Sequence, residues 1–141
     1  MTITGIRDNV QTLLEATDEF VTILKAPPRE GGDLEGYPAA IHYYNGTEND
    51  YATVSQNRRV INYAVDIILK ADTATSAETE LGEMYALADS IIQMFDTSNR
   101  LNAACDFLHP APGDLERIQI GEGVGLKFTV NLYCRRDISI V

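Results

Sequence analysis

Between Val60 and Leu69 two kinds of position alternate through five repeats. Ile61, Tyr63, Val65, Ile67 and Leu69 fall on one side, with Val60, Asn62, Ala64, Asp66 and Ile68 on the other. A period of two predicts a strand with one continuous apolar face, which another layer must cover. Upstream, Tyr37-Pro38 predicts an extended entry, because proline lacks an N–H and biases the residue before it towards β geometry. A second strand is expected from Ala39 to Tyr44. Asn45-Gly46 then gives a turn signal, and residues 47–57 are too polar and aperiodic for a core. The stretch from Gly36 to Ala71 is thus expected to be two long strands joined by a protruding acidic loop.

Helical spacing brackets this hairpin. Leu81, Met84, Tyr85, Ala88, Ile91, Ile92 and Phe95 predict one apolar stripe along about five turns, and Thr75 with Glu78 has the form of a capping box. Near the N-terminus Ile6, Val10, Leu13 and Leu14 predict a shorter helix, with Thr4 or Asp8 available at its start. Phe20, Val21 and Leu24 continue the helical spacing, but the β-branched run Val21-Thr22-Ile23 equally suits a short extended segment. Ala26-Pro27-Pro28 stops anything helical, and residues 29–35 read as a surface loop. Late in the chain Ala103–Leu108 and Glu116–Ile120 read as two extended pieces separated by Pro110 and Pro112. After the Gly121–Gly125 turn, Phe128, Val130, Leu132 and Cys134 alternate with Lys127, Thr129, Asn131, Tyr133 and Arg135. The predicted fold class is α+β: an antiparallel sheet of about four strands with both helices on one face and a mixed opposite face. With 141 residues and 45% hydrophobic content, the chain is expected to form a single domain spanning 1–141.

Charge narrows the function classes. The net charge is −10, distributed as −6, −3 and −1 over residues 1–50, 51–100 and 101–141. Such a chain lacks the basic footprint of a nucleic-acid binder or of a protein that coats anionic membrane. No apolar run reaches 18 residues, and MTITGIRDNV has no apolar h-region, so neither a membrane span nor a signal peptide is expected. Cys105 and Cys134 lie apart in apolar surroundings with no C-x-x-C, which favours buried thiols over a metal or redox pair. Acidic residues surround Gly31-Gly32, and no Lys-Ser/Thr follows, so the pair does not form a phosphate cradle. Gly121-x-Gly-x-Gly125 joins strand to strand rather than opening a helix. The carboxylates at 78, 80, 83 and 89 suit a solvated helix face better than a metal site, since the helix dipole already favours the first three. His42 and His109 have no adjacent nucleophile. No catalytic residue, cofactor or metal is therefore predicted, and a non-enzymatic role is expected, with a small ligand-binding regulatory domain as one alternative.

Two stretches carry a resemblance. Gly36-Tyr37-Pro38-Ala39-Ala40, followed by a loop rich in Asp, Glu and Asn and then Ser55-Gln56-Asn57-Arg58-Arg59-Val60, resembles the tail terminator (tail completion) proteins of long-tailed bacteriophages. A second match is Ala104-Cys105-Asp106-Phe107-Leu108-His109-Pro110-Ala111-Pro112. Together with the element order and length, these cover most of the chain. The resemblance implies a virion structural protein that assembles in the host cytoplasm. It would form a homo-hexameric ring that caps the tail tube protein, ends tail polymerisation and meets the head-completion (neck) protein, with DNA passing through. A head-completion or connector protein is the alternative in the same assembly.

If copies close into a ring, the hairpin offers contacts. Glu48 and Asp50, with Tyr51 beside them, lie in the expected loop, and Arg58 and Arg59 follow it, so acids of one subunit can meet arginines of the next. Asp33 and Glu35 are the candidate channel-facing acids, which would repel DNA and keep it sliding.

Overall fold

The computed structural model describes residues 1–29, 34–53, 56–71 and 76–139, without the side chains of 50–53, 56–57 and 138–139. Helix α1 spans Ile3–Thr17 and starts six residues earlier than Asp8 would place it. Thr2 is its N-cap, its hydroxyl accepting from the Gly5 N–H at 3.0 Å. Ile6, Val10 and Leu14, four residues apart, are fully enclosed on one face. Asp18 closes the helix in the left-handed region, φ 57°, with its N–H bonded to Glu15 O.

The open question over residues 19–25 resolves as extended. Strand β1, Thr22–Leu24, runs parallel to β2, Ala39–Thr53, in the register Thr22↔Ala39 to Leu24↔Ile41. Strand β2 turns back antiparallel into β3, Gln56–Lys70. The expected loop at 45–57 is therefore mostly strand: pairing continues through Thr47↔Ile61 and Asp50↔Arg58 to Thr53↔Gln56. Asn45-Gly46 forms a bulge rather than the turn, with Gly46 at φ 125°. The polar composition misleads because core contacts on β3 end at Ile61. Beyond that point the strands lie outside the core and pair through the ladder, so they need no apolar face.

Helix α2, Ala77–Thr97, begins at Ser76, whose Oγ accepts from the Thr79 N–H at 3.2 Å. The cap thus falls one residue after Thr75, which itself lies outside the described residues. Met84, Ala88, Ile91 and Phe95 are buried, whereas Tyr85, expected in the stripe, is half-exposed and Leu81 and Ile92 are only partly covered. Glu80 takes an inward position because the Arg117 guanidinium meets it at 2.9 Å, tying the start of α2 to the sheet. Gly82 sits in the helix interior and costs about 1 kcal/mol relative to alanine. Nothing lies within 4 Å of where its Cβ would be, so no neighbour in the chain requires a glycine there.

The two extended pieces expected at 103–108 and 116–120 are one edge strand, β4, Phe107–Ile120, paired antiparallel with β5, Gly123–Ser139. Pro110 and Pro112 remain within it because an edge strand loses no ladder bond on its open side. The sheet is thus five-stranded and mixed, in the order β1-β2-β3-β5-β4, rather than four-stranded and antiparallel. Gly121, φ 56°, makes the β4–β5 turn, while a Cβ on Gly125 would strike Leu69 O and the Ile120 side chain. The glycine run therefore serves a turn and a close strand approach.

Both helices pack on one face of the sheet. Ile6, Val10, Leu14, Met84, Ile91 and Phe95 meet Tyr63, Val65, Ile67, Val130 and Leu132 in a single core. On the opposite face a smaller cluster of Ala39, Ile41, Ile68 and Ile120 is covered by Leu34 and Tyr37. Next to it Asp66 accepts from the hydroxyls of Tyr43, at 3.1 Å, and Thr129, at 2.7 Å. Burial, together with Asp66, pushes the Tyr43 hydroxyl up to about 12.

From α2 to β4 the chain passes through Leu101, Asn102 and Ala103, all at positive φ (49°, 54° and 66°). Leu101 is fully buried and anchors this left-handed turn, while Ala103 is exposed and gains nothing from its side chain. Replacing Ala103 with Gly is expected to raise stability by up to about 1 kcal/mol, read as a higher urea midpoint at unchanged m-value.

Candidate functional site

The residues singled out on the hairpin divide between its strands. Glu48 and Asn49 lie opposite Val60 and Arg59, and Asp50 opposite Arg58. Of Asp50 and Tyr51 the structure describes only the backbone, with Asp50 paired to Arg58 and Tyr51 in the irregular stretch that follows, and Asp33 lies outside the described residues. Glu35 is exposed on the segment leading into β2. The arginines have partners within their own chain: Arg58 Nε is 3.4 Å from Asp137 Oδ1, and Arg59 Nε donates to Asn49 Oδ1 at 3.3 Å.

Beside the hairpin, on the face opposite the helices, strand parity gathers a set of side chains that no element of the described chain covers. Register places Arg58 opposite Asp137, Val60 opposite Arg135, Asn62 opposite Tyr133, and Phe107 opposite Arg135. Arg58, at 3.4 Å, and Arg135, at 3.9 Å, share the carboxylate of Asp137, the one acidic group within 4 Å of either guanidinium among the described side chains. The Arg135 guanidinium lies over the Phe107 ring at 5.5 Å. Among the described residues, the buried Arg135 Nε and the buried Asn62 Oδ1 have no hydrogen-bond partner. Buried orphans of this kind usually have a partner that the isolated chain does not supply. Sequence parity had already assigned Asn62, Tyr133 and Arg135 to the mixed face. Phe107 is hidden from sequence because it reads as part of the short apolar run 103–108.

Inside the core, two further groupings join residues far apart in sequence. His42 is fully enclosed between α1 and β3. Its Nε2 lies 2.7 Å from Gln11 Oε1 and its Nδ1 lies 2.7 Å from the Tyr63 hydroxyl. The carbonyl can only accept, so Nε2 carries the proton and Tyr63 donates to Nδ1. Burial, reinforced by Lys25 and Arg7, lowers His42 to about 4. Cys105 and Cys134 are both buried, as expected, and the Cys134 thiol donates to Leu132 O at 3.9 Å. The proximity of Cys134 lowers Cys105, whereas Cys105 and burial together raise Cys134. An open groove of about 490 Å³ lies between α1 and the left-handed turn, lined by Asn9, Thr12, Leu13, Thr97 and Asn102 among others. It holds no acid–base pair, and among the described residues no group of three or more His, Cys, Asp or Glu side chains could hold a metal. No helix of the described chain is long and apolar enough to cross a membrane.

No family model and no curated protein matches the chain.

Proposed function

We propose that this chain is a structural subunit of a phage virion that closes into a ring on the head-proximal end of the tail tube. There it ends tail polymerisation and forms the joint to the head. The observation that carries this reading is the β2–β3 arm. Its strands are 15 residues each, and residues 48–53 and 56–60 extend past the last core contact at Ile61. A single domain gains little from such an arm alone, whereas an assembly subunit can use it to reach its neighbours. The arm contains residues 56–60 of the stretch that resembles the tail terminator family. The ring is proposed as a hexamer, as that resemblance implies, with the tail tube protein on one side and the head-completion protein on the other. Glu48, Asp50, Tyr51, Arg58 and Arg59 are the proposed hairpin contacts, and Glu35 with Asp33 the acids towards the channel.

Deleting the protein from a phage that encodes it tests this role. The expected particles are filled heads beside tails of unregulated length. Tails of normal length beside heads that leak their DNA would instead assign the chain to head completion, and normal virions would remove the assembly reading altogether.

A further inference from the structure

We propose that the uncovered sheet face around Arg135 is the docking site for helix α2 of a second copy of the chain. This names the contact within the ring proposed above and rests on that reading. Helices α1 and α2 cover one face of the sheet; the other is left open beside the arm. A helix layer is the usual cover for a sheet face.

The open face shows what it lacks. Phe107 and Tyr133 are 42% and 37% exposed, Arg58 and Arg135 share the Asp137 carboxylate, and Arg135 Nε and Asn62 Oδ1 have no hydrogen-bond partner among the described residues. A ligand for this surface must bring a carboxylate, a hydrogen-bond donor and apolar area. The outer stripe of α2 brings all three. Tyr85 is 50% exposed and carries a hydroxyl, Asp89 follows one turn later, and Glu78 and Glu83 flank it. The helix contains no lysine or arginine. Gly82 lies on the same stripe, one turn before Tyr85, with open space where a Cβ would be. In this arrangement it lets a neighbouring backbone approach closely.

Charge also selects the geometry. Two α2 stripes would set carboxylates against carboxylates, and two copies of the open face would set arginines against arginines. Opposite surfaces therefore meet, and the contact is head-to-tail, the kind that closes into a ring when its rotation permits.

Sedimentation velocity on the full chain, taken to about 1 mM to capture weak contacts, tests the assignment. The wild-type chain is expected to self-associate. Arg135→Glu and Gly82→Gln are each expected to weaken association at least tenfold, and Gly82→Gln should also raise the melting temperature, since it removes a helix-interior glycine. Each variant keeps one intact surface: the helix stripe in Arg135→Glu and the sheet face in Gly82→Gln. An equimolar mixture is therefore expected to form a one-to-one dimer that grows no further. A wild-type chain that stays monomeric throughout, or a mixture without the dimer, would overturn the proposal. Variants that assemble as the wild type does would overturn it too while leaving the ring reading in place, and the particle phenotype tests that reading separately.

Discussion

Acidification from pH 7 to pH 4 is expected to remove about 3 kcal/mol of stability through His42 alone. The folded imidazole sits near 4, well below the ordinary 6.5, because it is enclosed and faces Arg7 and Lys25. Above pH 6.5 it is neutral in both folded and unfolded chains and contributes no pH dependence. Between 6.5 and 4 the unfolded chain takes up a proton that the folded chain refuses, so stability falls steadily with pH. Below 4 both forms are protonated and this loss levels off. Urea unfolding of the wild type and of His42→Gln at pH 7 and pH 4 isolates the contribution, because carboxylates that titrate in the same range are common to both. The wild type should lose about 3 kcal/mol more than the variant; equal losses would mean that His42 is charged in the fold.

Phe95→Ala is expected to cost about 3–5 kcal/mol, while Tyr85→Ala on the same helix should cost less than about 0.5 kcal/mol. Phe95 is fully enclosed between α2 and the sheet, so truncation leaves a cavity among Leu101, Leu108 and neighbouring core residues. Tyr85 points away from the core and half of its surface is already in water. Chemical denaturation gives both numbers. Loss of self-association in Tyr85→Ala at unchanged stability would place that ring at a contact between molecules rather than within one.

The sequence declared most clearly those elements whose signal repeats along the chain. The alternation from Val60 to Leu69 identifies β3 and its buried side, and the spacing of Met84, Ala88, Ile91 and Phe95 identifies α2. The distal half of β2 was hidden because a strand beyond the core has no apolar face to alternate, and a bulge between Tyr44 and Thr47 disturbs its parity. Pro110 and Pro112 read as breaks, although an edge strand tolerates them. Strand β1 is three residues long, too short for any period. Of the candidate surface, the mixed face containing Asn62, Tyr133 and Arg135 was legible from parity. The sharing of the Asp137 carboxylate was not, because Arg58 reaches it from β3 whereas Arg135 lies on the same strand as Asp137. The His42–Gln11 and Cys105–Cys134 pairings likewise join residues about 30 positions apart, and no local pattern encodes a contact across that distance. Gly82 was visible only as a weak spot in a helix. Its meaning depends on the empty space above it.

The two borders of the sheet are chemically unequal. On β4 the prolines at 110 and 112 remove backbone donors at alternate positions of the outer rim. On β2 the short strand β1 stops at Ile41, and among the described residues no strand lies against the remainder. In the vocabulary of polymerisation the protein is monofunctional with respect to strand addition: one rim can accept a foreign strand and the other rejects it. Two molecules joined rim to rim would consume both reactive borders and present only proline-blocked ones. Misassembly by this route should therefore stop at a pair instead of propagating into a fibril.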